Sequence, residues 1–325
     1  AAHLDPTSPE PLILAGIVCR EEAKWSEAHD FFGRALRLAP ENPTALLGRG
    51  RAGLELGKHE EAFQDLTRTL AVDPGNAEAY FHRGRLLAQK RRFQDALRDV
   101  TKAIECQPAA APPYTLRAEL NLALRNGRAA SRDAATAAAL DPRDLKVCAA
   151  QASVAEAIRD WPTMVECAKR ALELRPGDVA WLRSLGRACK ESGDFKASLS
   201  AYDQALASGP RDWRILCERA TVHIALRDFT AAVKDSSDAL AAKPTAMAYA
   251  LRGFAFLKGN ELERALEDCA NALALDPKDA TARLVRATIY LKWKRVREAQ
   301  DDCGKALRVA PGLAWTHLTL GRALA

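Results

Sequence analysis

The stretch DALRDVTKAIECQP (95–108) is written again, in altered letters, as RALEDCANALALDP (264–277). Two alanines, one leucine, one aspartate and the closing proline keep step, while the other charged letters change. Aligning the whole chain on that proline exposes the period: Pro6, Pro40, Pro74, Pro108, Pro142, Pro176, Pro210, Pro244, Pro277 and Pro311, every step being 34 residues except one of 33. Counting places within units that begin at residues 9, 43, 77, 111, 145, 179, 213, 246 and 280, the eighth place is always small (Gly16, Gly50, Gly84, Ala118, Ala152, Gly186, Ala220, Gly253, Ala287). A second small column follows at the twentieth place, from Ala28 to Ala299, broken only by Met164, and a third at the twenty-seventh, from Ala35 to Ala306, broken only by Thr69.

Small residues at facing places let two antiparallel helices approach closely, and larger residues at the fourth, eleventh and twenty-fourth places fill the space around them. Proline ends the second helix, because it cannot continue the hydrogen-bond ladder and biases the residue before it away from helix. Each unit is therefore a helical hairpin that cannot bury its apolar face alone and must be covered by the next. The spacing and letter order resemble the tetratricopeptide repeat family over essentially the whole chain. The resemblance implies an all-α, right-handed superhelical solenoid of antiparallel helix hairpins. Residues 1–8 read as the end of a preceding repeat, and nine repeats follow over 9–313 (9–42, 43–76, 77–110, 111–144, 145–178, 179–212, 213–245, 246–279 and 280–313). Residues 314–325 read as the first helix of a tenth repeat or a capping helix, so the chain reads as part of a larger one.

Composition agrees with helices: alanine and leucine dominate and aromatics make up 6%. No apolar run reaches the length of about 18 residues needed to span a membrane. Lys+Arg (48) are interleaved with Asp+Glu (42), giving a net charge of +6 that describes a solvated helical surface and argues against nucleic-acid binding. Eight cysteines occur without a Cys-x-x-Cys pair, which disfavours zinc and fits small hydrophobes in helix interfaces of a reducing, cytoplasmic compartment.

One internal correlation predicts contacts. Arginine at the seventh place (Arg49, Arg83, Arg117, Arg219, Arg252, Arg286) occurs in the same six repeats that carry aspartate at the twenty-third (Asp65, Asp99, Asp133, Asp235, Asp268, Asp302). Independent placement would coincide about once in eighty arrangements, so the two are expected to pair across each hairpin. Two strings imitate catalytic motifs. Gly48, Gly50 and Gly53 spell G-x-G-x-x-G, but inside a first helix with no strand before it, and HEEAF at His59 has Phe63 where a zinc-protease helix needs histidine. No nucleophile, base and orienting group converge, so no catalytic residue, metal or cofactor is expected.

In the first helix of each hairpin, the second, fifth, ninth and twelfth places form a face apart from the packing stripe. The resemblance implies that this face lines the groove where peptides and partner helices lie. In the last third it is apolar: Met247, Ala250, Phe254 and Leu257, then Leu284 and Leu291, then Trp315 and Leu318. That stripe reads either as a slot for an amphipathic helix or apolar peptide, or as a surface packed on adjacent helices. In the middle the face is basic, with Arg183, Arg187, Lys190 and Arg214 suited to an acidic peptide or simply solvated. A mixed patch of Leu47, Arg51, Phe81, His82 and Arg85 ranks below both. The asparagines with which chaperone-binding relatives grip a terminal carboxylate are missing, their places holding Ile17, Gly48 and Arg51, or Leu116 and Glu119. The leading expectation is a non-catalytic scaffold that holds protein partners; the alternative is the substrate-recruiting arm of a kinase or transferase.

Overall fold

A computed structural model describes residues 8–209, 212–311, 319 and 321. Among them the chain forms eighteen helices and no strand: α1 (Glu10–Glu21), α2 (Trp25–Leu38), α3 (Pro43–Glu55), α4 (His59–Val72), α5 (Ala77–Gln89), α6 (Phe93–Cys106), α7 (Ala111–Ala123), α8 (Gly127–Leu140), α9 (Leu145–Ile158), α10 (Trp161–Leu174), α11 (Val179–Glu191), α12 (Phe195–Ser208), α13 (Trp213–Ala225), α14 (Phe229–Ala242), α15 (Ala246–Lys258), α16 (Leu262–Leu275), α17 (Ala280–Lys292) and α18 (Val296–Val309). The chain is an all-α repeat array that divides into two compact units, Ala1–Thr163 and Met164–Ala325. Trp315 and Leu318 lie outside the described residues.

Local chemistry explains where helices start and stop. Two residues past most repeat prolines stands Asn, Asp or another capping residue: Asn42, Asn76 and Asp279 accept from Ala45, Ala79 and Ala282 amides at 3.0, 2.9 and 2.8 Å. These side chains satisfy amides that the first helical turn would otherwise leave unpaired. The turn within each hairpin is equally regular. The fifteenth place is left-handed throughout, with Ala23, Arg91, Arg125, Arg159, Arg227, Asn260 and Lys294 at φ 56–62° and Gly57 and Gly193 at φ 73° and 82°. The next amide then reaches back to the carbonyl at the eleventh place, as in Lys24 to Cys19 and Lys58 to Gly53, both at 2.8 Å.

The small columns match what faces them. Phe32 is fully buried, and an added Cβ at Gly16 or Gly48 would meet its ring at 2.8 or 2.4 Å. Leu66 sits against Gly50, Val100 against Gly84 and Tyr202 against Gly186, at 3.0, 2.7 and 2.7 Å by the same measure. Where the twenty-fourth place is Ala134 or Ser236, the eighth is Ala118 or Ala220, so volume is conserved across the interface. The exceptions in the other columns are satisfied too. Thr69 is fully buried and its hydroxyl donates to the Asp65 carbonyl at 2.9 Å; Ser198 donates to the Gly186 carbonyl at 2.7 Å.

All six expected ion pairs are present and bidentate. Each arginine places Nε and Nη2 on the two oxygens of its aspartate, at 2.7 and 2.7 Å for Arg49–Asp65 and 2.8 and 2.8 Å for Arg252–Asp268. Three of the arginines also reach the twenty-fifth place of the hairpin before: Arg83 to Thr67 at 3.4 Å, Arg219 to Asp203 at 2.5 Å and Arg252 to Ser237 at 3.3 Å. One guanidinium therefore ties two hairpins, a role the sequence correlation within a repeat did not reveal.

The fourth repeat has a leaner core than the third. Its second helix buries Ala130, Ala134, Ala137 and Ala138 where its neighbour α6 buries Val100 and Ile104, so it removes less apolar surface from water. Amides of residues 111–176 are expected to exchange faster than those of α5 and α6. Hydrogen exchange resolved by repeat is the measurement, and equal protection in both regions would count against the reading.

Candidate functional site

In the first unit, the first helices α3, α5, α7 and α9 enclose a concavity of about 700 Å³. The fifth and ninth places line it, Phe81 and Arg85, Thr115 and Glu119, Ala149 and Ser153, because residues four apart share a helix face. Phe81 and Leu116 supply half-buried apolar surface, and Leu116 rests on the core around Val100 and Leu120. Alanine and serine on α9 leave the space that bulkier residues would fill. Arg85 is held by Glu55 across the rim at 3.4 Å. Glu119 keeps more than a third of its surface open, yet partial burial in the concavity raises its carboxyl pKa.

A smaller concavity of about 320 Å³ adjoins it, sharing Phe81 and Pro112 and adding Arg51, Glu78 and His82. Arg51 and Glu78 pair at 2.8 Å, and the Phe81 and His82 rings meet edge to face at 5.1 Å. His82 is buried, and that burial, with Arg51, Arg85 and Arg20 nearby, pushes its pKa down to about 3. It is therefore neutral at pH 7, with Nδ1 placed to accept from Arg85 at 3.5 Å. Unfolding restores the ordinary value of 6.5, so below that pH the unfolded chain binds a proton that the folded chain refuses. Stability should fall by about 1 kcal/mol between the ordinary histidine pKa and about one pH unit below it. Urea titrations should show a smaller drop in His82→Asn; an unchanged drop would remove histidine as the cause.

The mixed patch that ranked last thus contributes Phe81 and Arg85 to the first concavity and Arg51 and His82 to the one beside it. The signal was in the sequence as Ala149 and Ser153, small residues at the two places where Phe81 and Arg85 are large.

The basic places in the second unit are largely engaged. Arg183 Nε lies 3.0 Å from both Glu218 oxygens, and that carboxylate holds the guanidinium charged. Lys190 pairs with Glu191 at 2.9 Å, and Arg214 stacks over Trp213 at 4.8 Å with Asp212 3.9 Å away. Arg187 is half-buried among them. An acidic peptide would have to displace Glu218 to use Arg183.

The apolar stripe needs a correction. Leu284 is fully buried in the cluster with Ala299, Cys303 and Ala306, and Leu257 is 5% exposed beside Phe256, Val285 and Ile289. Ala250 is 2% exposed. These side chains are covered by the array's own helices and have no surface left to give a partner. Phe254 and Leu291 are partly buried against the same clusters, and Met247 is exposed.

The imitation motifs resolve into packing. Gly48, Gly50 and Gly53 lie buried inside α3, facing Phe32, Leu66 and Ala62, and His59 opens α4. Seven cysteines are buried and Cys106 is exposed; burial pushes the thiols of Cys217 and Cys269 up to about 12. Among the described residues no group of three His, Cys, Asp or Glu could hold a metal ion, and no helix is long and apolar enough to cross a membrane.

Comparison with known proteins agrees with this architecture. The tetratricopeptide repeat family profile matches residues 20–69, 64–112, 149–212, 190–247 and 217–280. Among solved structures, the Cut9–Hcn1 hetero-tetramer of APC/C is similar at 18% identity and TM-score 0.54, over 94% of this chain and 60% of that one. PilF of Pseudomonas aeruginosa is similar at 15% identity and TM-score 0.55, over 66% of this chain and 96% of its own. YrrB, described as a TPR protein with an unusual peptide-binding site, is similar at 16% identity and TM-score 0.50, over 57% and 95%. No curated protein sequence matches the chain. With hairpins of one period, facing small columns and a profile match over more than half its length, the chain belongs to the tetratricopeptide repeat family.

Proposed function

We propose that the chain is a non-catalytic scaffold that holds an extended peptide or a helix of a protein partner against the first-helix face of its hairpins. The observation that carries this reading is the concavity of about 700 Å³ in the first unit, which pairs an apolar base at Phe81 and Leu116 with polar groups at Arg85, Thr115, Glu119 and Ser153. A face built for solvent alone would gain nothing from that mixture, whereas a bound segment uses the apolar base for affinity and the polar rim for register. Met247, Phe254 and Leu291 offer a second, shallower contact region in the other unit.

The test is affinity capture from cell extract with the intact chain beside Phe81→Asp/Leu116→Asp, after circular dichroism shows equal helicity. Loss of interface anchors typically costs about 2 kcal/mol or more, enough to remove a partner from the captured set. Recovery of an identical set by both proteins would reject the concavity as the contact site and move attention to Met247 and Phe254.

A further inference from the structure

We infer that the concavity of the first unit selects partner segments carrying a lysine or arginine flanked by apolar side chains, with Glu119 receiving the cation. This rests on the reading of that concavity as the partner site. Three observations lead to it. The first is the state of Glu119. Among the described residues it has no cation within ion-pair distance and no hydrogen-bond donor, although it lines the cavity wall. Burial raises the pKa of its carboxyl, as expected of an acid that loses water without gaining a partner.

The second observation is that the other charges are accounted for. Arg85 is paired with Glu55, and Asp144 caps α9 by accepting from the Lys146 amide at 2.7 Å. With Lys146 as the remaining cation, the wall carries three carboxylates against two positive groups. The third is the apolar surface beside Glu119: the half-buried Phe81 and Leu116 would cover the stem of a lysine or arginine while its head reached the carboxylate. An incoming ammonium or guanidinium would form a charge-assisted hydrogen bond in a partly dehydrated site, where such bonds are strongest. An acidic segment would meet an unscreened like charge at the same place.

Three fluorescein-labelled, C-terminally amidated peptide mixtures test this. All are twelve residues long and rich in leucine and alanine, and they differ only in a central lysine, leucine or glutamate. Binding to the full chain is read by fluorescence anisotropy. The lysine mixture should bind about tenfold more tightly than the glutamate mixture. Glu119→Gln should shrink that preference to about threefold or less. Glutamine is a good helix former at an exposed position of α7, so the variant retains the fold. Equal binding of lysine and glutamate mixtures, or a preference that survives Glu119→Gln, would overturn the charge selection and leave the peptide site standing. If none of the mixtures binds, or if Phe81→Asp leaves all three affinities unchanged, the peptide site itself is refuted, and the selection with it.

Discussion

Replacing Arg252 with alanine is expected to destabilise the chain by about 3 kcal/mol or more, the largest effect of any single substitution considered. Asp268 is 2% exposed and both its oxygens are held by the same guanidinium, so removing the arginine leaves a carboxylate stranded in the packed interface. The loss extends to the preceding hairpin, because Arg252 also donates to Ser237 at 3.3 Å, and it includes the contact of Arg252 over the Tyr249 ring of its own helix at 5.8 Å. Removing both partners should hurt less than the sum of the single changes, since Asp268→Leu with Arg252→Met takes away the charge together with its counterion. The stability of a repeat array is not one global quantity. The double-mutant cycle should therefore combine urea unfolding with hydrogen exchange of α15 and α16. Additive effects in that cycle would refute the pairing as an energetic unit.

Gly48→Ala should destabilise by about 1–3 kcal/mol, although alanine is the better helix former by about 1 kcal/mol. The sign turns on Phe32. Its ring is fully buried, a Cβ at Gly48 would stand 2.4 Å from Cζ, and Gly16 closes the other side, so the ring has nowhere to retreat. Gly304 supplies the opposite case within α18: nothing lies within 4 Å of an added Cβ, and Gly304→Ala should stabilise by up to about 1 kcal/mol. Phe32→Leu should recover part of the Gly48→Ala loss by making room. Thermal or urea unfolding of the four proteins reads the outcome. A stabilised Gly48→Ala would mean that the helices can move apart at little cost, against the close-packed interface described above.

The first prediction concerns a pair written in the repeat, whereas the second turns on a single glycine at a sixth place that elsewhere holds Leu14, His82 or Leu116. The period, the helix pairs, the small columns and the arginine–aspartate correlation could all be read from letters, because each is a packing demand met nine times or six times over. The candidate site was less legible. Phe81 and Arg85 could be placed on the correct helix face, but the volume beside them depends on Ala149 and Ser153, two hairpins further on. Leu257 and Leu284 could be placed on that face too, yet packing covers them: Leu257 sits with Val285 and Ile289 of the next hairpin, and Leu284 with Ala299, Cys303 and Ala306 on the second helix of its own.

The letters alone established that this is a stack of helical hairpins and in which six of them an arginine pairs with an aspartate. Periodic burial and paired charges leave periodic letters, and the chain length makes them unmistakable. Three things were left to the tertiary structure: that an arginine ties its hairpin to the one before, that Glu119 stands without a counterion among the described residues, and that the described hairpins close through a left-handed residue. The last is the plainest case. Ala23, Gly57, Arg91, Gly193, Asn260 and Lys294 share one backbone conformation without sharing a side chain. The turn is enforced by the closing hydrogen bond from the next amide, a backbone interaction that leaves no mark on the choice of letter.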